Sequence, residues 1–358
     1  MSYTNNLDNP ELYFQTKLYT GNGGTQSITL DGSENMQPDW VWIKNRGATE
    51  WHQVHDSVRG VAKYLFTNET NAEGERSPND QVTSFDSDGF SLGAGANDSV
   101  NTNSGSYVSW NWKAGGSASS NSNGSITSSV SANTTAGFSI VSYTGSGTIS
   151  NTVGHGLGTT PNVIIIKNRD TGTSGWNVHH SGLSSGYNLQ LQSTTAQFNS
   201  TGQGHIGTVG SSTFGFVAGS SGNDQVNDSS EKYIAYCLAE KKGYSKFGSY
   251  TGNGNANGTF VYTGFRPAWF IVKRTDSSNI WEIFDNKRST FNVTDDYLSA
   301  ESSDAETTGS SQGLDFLSNG VKMRNANAGN NASGGSYIYL AFAESPFVNS
   351  NGIPNNAR

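Results

Sequence analysis

The stretch Pro38-Asp39-Trp40-Val41-Trp42-Ile43-Lys44-Asn45-Arg46 recurs twice in this chain in diverged form. The later copies are Pro161-Asn162-Val163-Ile164-Ile165-Ile166-Lys167-Asn168-Arg169 and Pro267-Ala268-Trp269-Phe270-Ile271-Val272-Lys273-Arg274. In each copy, four consecutive apolar residues begin two positions after a proline and end at a lysine. Runs of β-branched and aromatic residues are typical of strands that are buried on both faces. The stretch therefore predicts three equivalent central strands, which we call the Pro-led strands.

The segments around the Pro-led strands recur in the same order. A Tyr-Thr-Gly motif opens each copy and an alternating strand that begins with tyrosine closes it, at separations of 88, 90 and 87 residues. Such constant spacing is typical of internal repeats. The chain divides into an N-terminal arm (1–12), unit one (13–114), a Ser/Asn/Gly-rich linker (115–137), unit two (138–240), unit three (244–345) and a C-terminal tail (346–358). Because the join at 241–243 is short and the linker is long, we expect units two and three to touch and unit one to sit apart.

Composition indicates an all-β fold. Hydrophobic residues make up 33% of the 358 residues and charged residues 14%, while aromatic residues recur at regular places between polar turns. This pattern favours three tandem antiparallel β-sandwich repeats of the jelly-roll or lectin-like type. A net charge of −8 without basic clusters argues against a nucleic-acid partner. No apolar run approaches 18 residues, so we expect no membrane insertion, and no secretory signal is visible at the N-terminus.

Each Pro-led strand presents two apolar faces, because alternate side chains point to opposite sides. A sandwich core covers only one of them. The other needs cover from a loop of the same unit, from another unit, or from another chain, as in a homo-oligomer. We expect the outward row to form an assembly interface. It consists of Val41, Ile43, Ile164, Ile166, Phe270 and Val272.

Titratable residues do not form a recognisable catalytic or metal-binding pattern, so we expect neither enzymatic activity nor a cofactor. Asp56 and Arg59 are three residues apart, as are Asp285 and Arg288, and unit two lacks both partners. Because the aspartate and the arginine are either both present or both absent in a unit, we expect them to form a structural ion pair across a turn. The acidic turn at 85–90 lacks the further carboxylates of an EF-hand loop, and the sequence leaves open whether a Ca²⁺ ion binds.

Two tryptophans of unit one stand apart from the shared pattern. Trp110 and Trp112 are replaced by smaller residues in units two and three, so the common core does not need them. Sugar-binding sandwiches stack pyranose rings on exposed tryptophan or tyrosine. Trp110 and Trp112 are therefore candidate contacts to a glycan or a host surface.

The set of motifs resembles repeats in structural proteins of marine and cyanobacterial tailed phages, which have tail-fibre-like or concanavalin-like lectin domains. The residues that carry this resemblance are the Tyr-Thr-Gly-Asn-Gly opening, the Pro-led strand, Phe85-Asp86-Ser87-Asp88-Gly89-Phe90, and Ala341-Phe342-Ala343-Glu344-Ser345-Pro346-Phe347. The resemblance covers residues 13–348 and carries no catalytic signature. Unit two departs most, with Val163 in place of the tryptophan.

The resemblance implies a bacteriophage virion component that is made in the host cytoplasm and lies at the particle surface. The expected function is non-enzymatic, tail-fibre-like attachment to host-surface glycans. The alternative is a capsid decoration or tail scaffold protein that binds only other virion proteins. The sequence identifies neither the place on the virion, nor the ligand, nor the oligomeric state.

Overall fold

The computed structural model describes residue 4 and residues 7–76, 80–94, 98–199, 204–217, 225–309 and 311–356. Nearly all regular structure in these ranges is β-strand, and neighbouring strands pair antiparallel. The predicted all-β, antiparallel class is confirmed. The exceptions are a 3-10 turn at Pro10–Leu12 and one helix, α1, at Asp98–Asn101. None of the described helical segments is long and apolar enough to cross a membrane.

Unit one contains a six-stranded sheet, of order β1-β9-β3-β4-β5-β6, and a three-stranded sheet, of order β2-β8-β7. The Pro-led strand β3 lies inside the larger sheet, between β9 and β4. The strands are β1 Phe14–Thr20, β2 Gln26–Thr29, β3 Trp40–Asn45, β4 Gln53–Asp56, β5 Lys63–Phe66, β6 Gly74–Glu75, β7 Val82–Asp86, β8 Gly89–Leu92 and β9 Ser106–Trp112.

Unit two repeats this plan with extra strands at one edge. Its large sheet has the order β10-β11-β12-β20-β14-β15-β16-β17, and its small sheet has the order β13-β19-β18. The strands are β10 Ser119–Asn121, β11 Ser128–Asn133, β12 Phe138–Thr144, β13 Thr152–Gly154, β14 Val163–Asn168, β15 Trp176–His180, β16 Tyr187–Gln190, β17 Phe198–Asn199, β18 Ile206–Val209, β19 Thr213–Phe216 and β20 Lys232–Leu238.

Unit three has a five-stranded sheet of order β21-β28-β23-β24-β25 and a three-stranded sheet of order β22-β27-β26. In each unit the Pro-led strand thus lies between the closing strand and the strand that follows it in sequence. The strands are β21 Ser245–Thr251, β22 Phe260–Tyr262, β23 Phe265–Arg274, β24 Trp281–Asp285, β25 Leu298–Ser299, β26 Leu314–Leu317, β27 Gly320–Met323 and β28 Ser336–Pro346.

The outward row predicted from the sequence lies inside the units, so that prediction was wrong. In unit one, Val41 and Ile43 are fully buried against Phe90 of the small sheet. The equivalent residues of the other two Pro-led strands also pack in the core of their own unit. The alternation of side chains shows that each strand has two apolar faces, but it does not show which face turns towards that core. The buried residues of this row are Val41, Ile43, Ile164, Ile166, Phe270 and Val272.

The opposite faces of the three large sheets meet in one hydrophobic cluster, which we call the shared core. Trp40 of unit one stacks on Tyr236 of unit two at 4.4 Å between ring centroids, and Trp112 meets Trp269 of unit three edge-on at 5.6 Å. The large aromatic row therefore packs between units. Central members of the shared core are Trp40, Trp42, Trp110, Trp112, Val163, Ile165, Tyr236, Leu238, Trp269, Ile271, Leu340 and Phe342.

The segment 115–137 is part of unit two rather than a free linker. Strand β11 pairs along its whole length with β12, and β10 adds to the edge. The segment's two largest apolar residues, Ile126 and Val130, are buried in the core of unit two. Its start is held by Asp39, whose carboxylate accepts hydrogen bonds from the backbone N–H groups of Ala114 and Gly116. Unit one therefore contacts unit two directly and does not sit apart.

Both ends of the chain pack on the units. In the predicted arm, Leu7 is buried in the shared core, and the carboxylate of Asp8 accepts a 2.8 Å hydrogen bond from the backbone of Ser350. In the predicted tail, Phe347 donates its backbone N–H to Gly264. Residues 1–3, 5, 6, 357 and 358 of these segments lie outside the described residues.

Candidate functional site

Each unit contacts the other two, and buried side chains determine how the units fit together. Between units one and two, Trp176 donates its indole N–H to Phe66 O at 2.7 Å. Between units two and three, the equivalent Trp281 donates to Gln190 O at 3.1 Å. The repeated geometry indicates that these two interfaces are related to each other.

The structure brings Asp56 and Arg59 together at the interface between units one and two. The guanidinium Nε lies 2.5 Å from the carboxylate, and both side chains are fully buried. Tyr236 of unit two donates its hydroxyl to the same carboxylate at 2.8 Å. Arg169 of unit two pairs with Glu73, which also contacts Arg59. The pair is therefore structural, and it joins two units as well as spanning a turn.

The second predicted pair has the same role between units three and one. Arg288 lies 2.5 Å from Asp285, again with both side chains fully buried. Here Trp110 of unit one donates its indole N–H to Asp285 at 3.0 Å. Glu306 completes the group by contacting both Arg288 and Arg46 of unit one.

The third interface carries an uncharged version of the same arrangement. His180 stands where the other units have aspartate, and its Nε2–H donates to Tyr339 O of unit three at 3.1 Å. Burial lowers the pKa of His180 to about 4, so the ring is neutral at physiological pH. Leu183 replaces the arginine and Leu340 replaces the donor ring. The interface between units two and three therefore lacks the aspartate, the arginine and the hydrogen-bond donor of the other two interfaces.

Trp110 and Trp112, the predicted glycan contacts, are not accessible to a ligand. Both are fully buried in the shared core, and the indole of Trp110 is engaged with Asp285. These residues vary between units because each interface packs differently, so their variation does not indicate a binding role. Extending the register of β3 and β4 by one residue places His52 opposite Lys44, the position that Trp176 and Trp281 hold in the other units.

The lysine that ends each Pro-led strand is buried rather than exposed. Lys44, Lys167 and Lys273 each donate from Nζ to the backbone carbonyl of the next residue and to one loop carbonyl. Burial lowers the pKa of Lys44 to about 8 and that of Lys167 to about 7. For Lys273 the loop carbonyl belongs to Thr194 of unit two. These lysines fix loops and units in place.

The acidic turn of unit one is held by hydrogen bonds within the chain. Asp86 accepts from the hydroxyls of Ser84 and Ser91 at 2.6 and 2.7 Å, and Asp88 accepts from the backbone of Met36. Within the described residues, no group of three or more His, Cys, Asp or Glu side chains is placed to hold a metal ion.

Glu282 is a buried carboxyl at a position that carries an amide in the other units. Its Oε2 accepts from Asn330 at 2.8 Å, and Oε1 has no hydrogen-bond partner among the described residues. Burial raises the pKa of Glu282 to about 8. The equivalent positions are Gln53 and Asn177. Glu282 is therefore protonated and neutral in the folded protein at neutral pH.

We expect Glu282→Gln to remove part of the pH dependence of stability. The folded protein keeps this proton between the ordinary pKa of 4.5 and about 8, whereas the unfolded chain loses it. The contribution is present in full below pH 4.5 and is lost as the pH rises towards 8, at about 1.4 kcal/mol for each pH unit. Urea denaturation at pH 5 and pH 8 should show the variant gaining stability over the wild type only at pH 8. An equal difference at both pH values would contradict the assignment.

An open cleft lies in unit two, between the edge of its large sheet and its small sheet. It has a volume of about 500 Å³, within the range of small-molecule sites. One wall is formed by β15, β16 and the loop between them, and the other by β18. Its lining residues are His179, His180, Ser181, Leu183, Ser184, Ser185, Gly186, Tyr187, Asn188, Ile206, Gly207, Thr208 and Val217.

One difference between the units lies at this cleft. Leu65, Leu189 and Leu298 occupy equivalent positions, each opposite the middle residue of the preceding strand. The residue before each of them is Tyr64 in unit one, Asn188 in unit two and Tyr297 in unit three. Unit two thus lacks the phenol ring at this position.

The floor and rim of the cleft are polar. Asn188 is buried, and its Oδ1 has no hydrogen-bond partner among the described residues. His179 is half-buried, and burial lowers its pKa to about 4, so its ring is neutral. The rim loop is fixed by Gln197, whose side chain bonds both the backbone and the hydroxyl of Ser184. The described lining residues therefore present hydroxyl, amide and imidazole groups and no formal charge.

Sequence reasoning missed this cleft, although the signal was present. Unit two is the most divergent copy, but its differences at Val163 and at the lost Asp–Arg pair do not point to the cleft. An alignment of the three repeats at Leu65, Leu189 and Leu298 places Asn188 at the position of Tyr64 and Tyr297.

Comparison with known proteins identifies a family but no function. No curated protein and no solved structure matches the chain. A family model described as "Domain of unknown function (DUF7483)" matches residues 9–346, a range that spans all three units. The chain therefore belongs to the DUF7483 family.

Proposed function

We propose that this protein is a non-enzymatic structural component at the surface of a tailed bacteriophage particle, and that it attaches to host-surface glycans. The phage context rests on the resemblance of the repeated motifs. Its partners would be other virion proteins and a host saccharide. We further propose that each pair of sheets is one β-sandwich repeat of the lectin-like type, three of which form the chain. The sheet orders repeat in the three units and support this proposal.

The observation that carries the attachment function is the open cleft of unit two. Saccharides are recognised through their hydroxyl groups and ring faces. The cleft offers side-chain hydroxyls on Ser181, Ser184, Ser185 and Thr208, together with the amide of Asn188. Units one and three carry a tyrosine in place of Asn188. A ligand would therefore bind unit two selectively.

A glycan array tests this function. The wild-type protein should bind one or more saccharides, and the variant Asn188→Tyr should lose that binding because it restores the ring present in the other two units. A matched surface control is Ser129→Tyr, on β11 and away from the cleft, which should bind as the wild type does. Absence of binding to any saccharide, or equal binding by Asn188→Tyr, would contradict the attachment function. Release of reducing sugar from a host polysaccharide would contradict its non-enzymatic nature.

The alternative is a decoration or scaffold protein that binds only other virion proteins. One loop of unit three favours it, since Phe291 and Val293 expose 78% and 44% of their surface. Exposed apolar side chains are common at protein interfaces. Negative-stain images of virions with labelled protein would locate it. Loss of particle incorporation in Phe291→Ser, with glycan binding absent in the wild type, would favour this alternative.

A further inference from the structure

We propose that the cleft of unit two binds an uncharged pyranose ring at the place that a tyrosine ring occupies in units one and three. This inference rests on the proposed attachment function and specifies its ligand. It also assigns Asn188 as the residue that orients the sugar and His179 as the surface against which the ring lies.

The size and shape of the site follow from units one and three, where a tyrosine ring occupies the equivalent space. In unit one, the ring of Tyr64 lies 6.4 Å from that of His55. In unit three, Tyr297 lies 6.1 Å from Phe284. His179 is the equivalent of His55 and Phe284 in register. Unit two therefore keeps the planar side chain on the large sheet but lacks the six-membered ring that covers it.

A pyranose fits the vacated space better than an aromatic side chain does. The buried Oδ1 of Asn188 has no partner among the described residues, and a buried acceptor without a donor is costly. The atom is enclosed in this structure, so the side chain turns towards the cleft when a sugar hydroxyl supplies that donor. The remaining hydroxyls would face the serine-rich rim, where Ser181, Ser184 and Ser185 are exposed. An aromatic ring would leave most of these groups unpaired.

The charge of the site selects among saccharides. Among the described residues that line the cleft there is no Asp, Glu, Lys or Arg. Burial lowers the pKa of both His179 and His180 to about 4. An anionic sugar would lose hydration on entering and would find no cation to pair with. Neutral hexoses are therefore favoured over uronic or sialic acids.

The experiment is an NMR titration of the full chain with matched probes. Methyl glucoside and methyl galactoside represent neutral pyranoses, and methyl glucuronide and methyl galacturonide represent their acidic counterparts. N-acetyltyrosinamide represents an aromatic side chain. At least one neutral glycoside should bind and shift the His179 signals. Its acidic counterpart should bind at least tenfold more weakly.

Two variants assign the site. Asn188→Tyr should abolish binding because the new ring occupies the sugar's place, and its spectrum should otherwise match the wild type. Asn188→Ala leaves the cleft open but removes the acceptor, so the affinity for the neutral glycoside should fall about tenfold.

The outcomes separate this inference from the function on which it rests. Binding of the acidic sugar with equal or higher affinity would overturn the inference and leave glycan attachment standing. Tighter binding of N-acetyltyrosinamide than of every glycoside would also overturn it, and would indicate a protein partner. Unchanged affinity in Asn188→Ala would refute the role of Asn188. If no saccharide of any charge binds, here or on the array, the proposed function fails as well.

Discussion

Replacing Arg59 by leucine should destabilise the protein by about 3–5 kcal/mol, because Asp56 would remain buried without its counter-charge. Asp56 and Arg59 are both fully buried, and Tyr236 contributes one hydrogen bond to the carboxylate without neutralising it. The guanidinium also donates to Val54 O at 3.1 Å, and that acceptor would lose its partner. The free energy of unfolding in urea measures the loss.

The chain itself offers a compensating change. Unit two has His180 and Leu183 at these two positions, and its interface is closed without charge. The double variant Asp56→His/Arg59→Leu should therefore recover at least half of the stability lost in Arg59→Leu. Lys232→Ala removes an exposed ion pair with Asp170 and should change stability by about 1 kcal/mol or less. A loss below about 1 kcal/mol in Arg59→Leu, or a double variant less stable than the single one, would contradict the structural role of the pair.

Unit one, expressed alone as residues 1–114, should fail to fold as a stable monomer. Four of its tryptophans, Trp40, Trp42, Trp110 and Trp112, lie in the shared core, and all but Trp42 contact aromatic rings of other units. Truncating one core tryptophan costs about 3–5 kcal/mol, and a whole domain is stable by only about 5–15 kcal/mol. The free-energy cost of exposing these rings to water is therefore larger than the stability expected for unit one alone.

Two measurements check this expectation. The fragment should give a poorly dispersed amide spectrum and associate in sedimentation, since it exposes a large apolar face. The intact chain should unfold in urea in a single transition seen equally by tryptophan fluorescence and circular dichroism. A monodisperse fragment with a dispersed spectrum, or separate transitions in the intact chain, would show that the units are independent domains.

The sequence predicted the repeated strands correctly because their signals are local. Four apolar residues after a proline define each Pro-led strand, and these segments are strands β3, β14 and β23. Its errors concern which surfaces meet. Alternation showed two apolar faces but could not assign Val41 and Ile43 to the unit's own core. That assignment depends on the width of the small sheet and on the neighbouring units, which lie far away in sequence.

The same distinction applies to the candidate site. Asp56 and Arg59 are three residues apart, so their spacing on a turn sufficed to pair them. The donor to that pair, Tyr236, is distant in sequence, and nothing in the spacing identified it. Trp110 was misjudged for the same reason, since its partner Asp285 belongs to another unit. The cleft at Asn188 is a missing side chain, which only a comparison of the three units makes visible.

A crystal structure of the protein with the saccharide that binds best on the array tests the central claim most directly. The account predicts one sugar in unit two, with its ring over His179 and a hydroxyl within about 3 Å of Asn188 Oδ1. Units one and three should carry no sugar at the equivalent positions, where Tyr64 and Tyr297 stand. A saccharide bound elsewhere on the surface, with the cleft of unit two empty, would contradict the account.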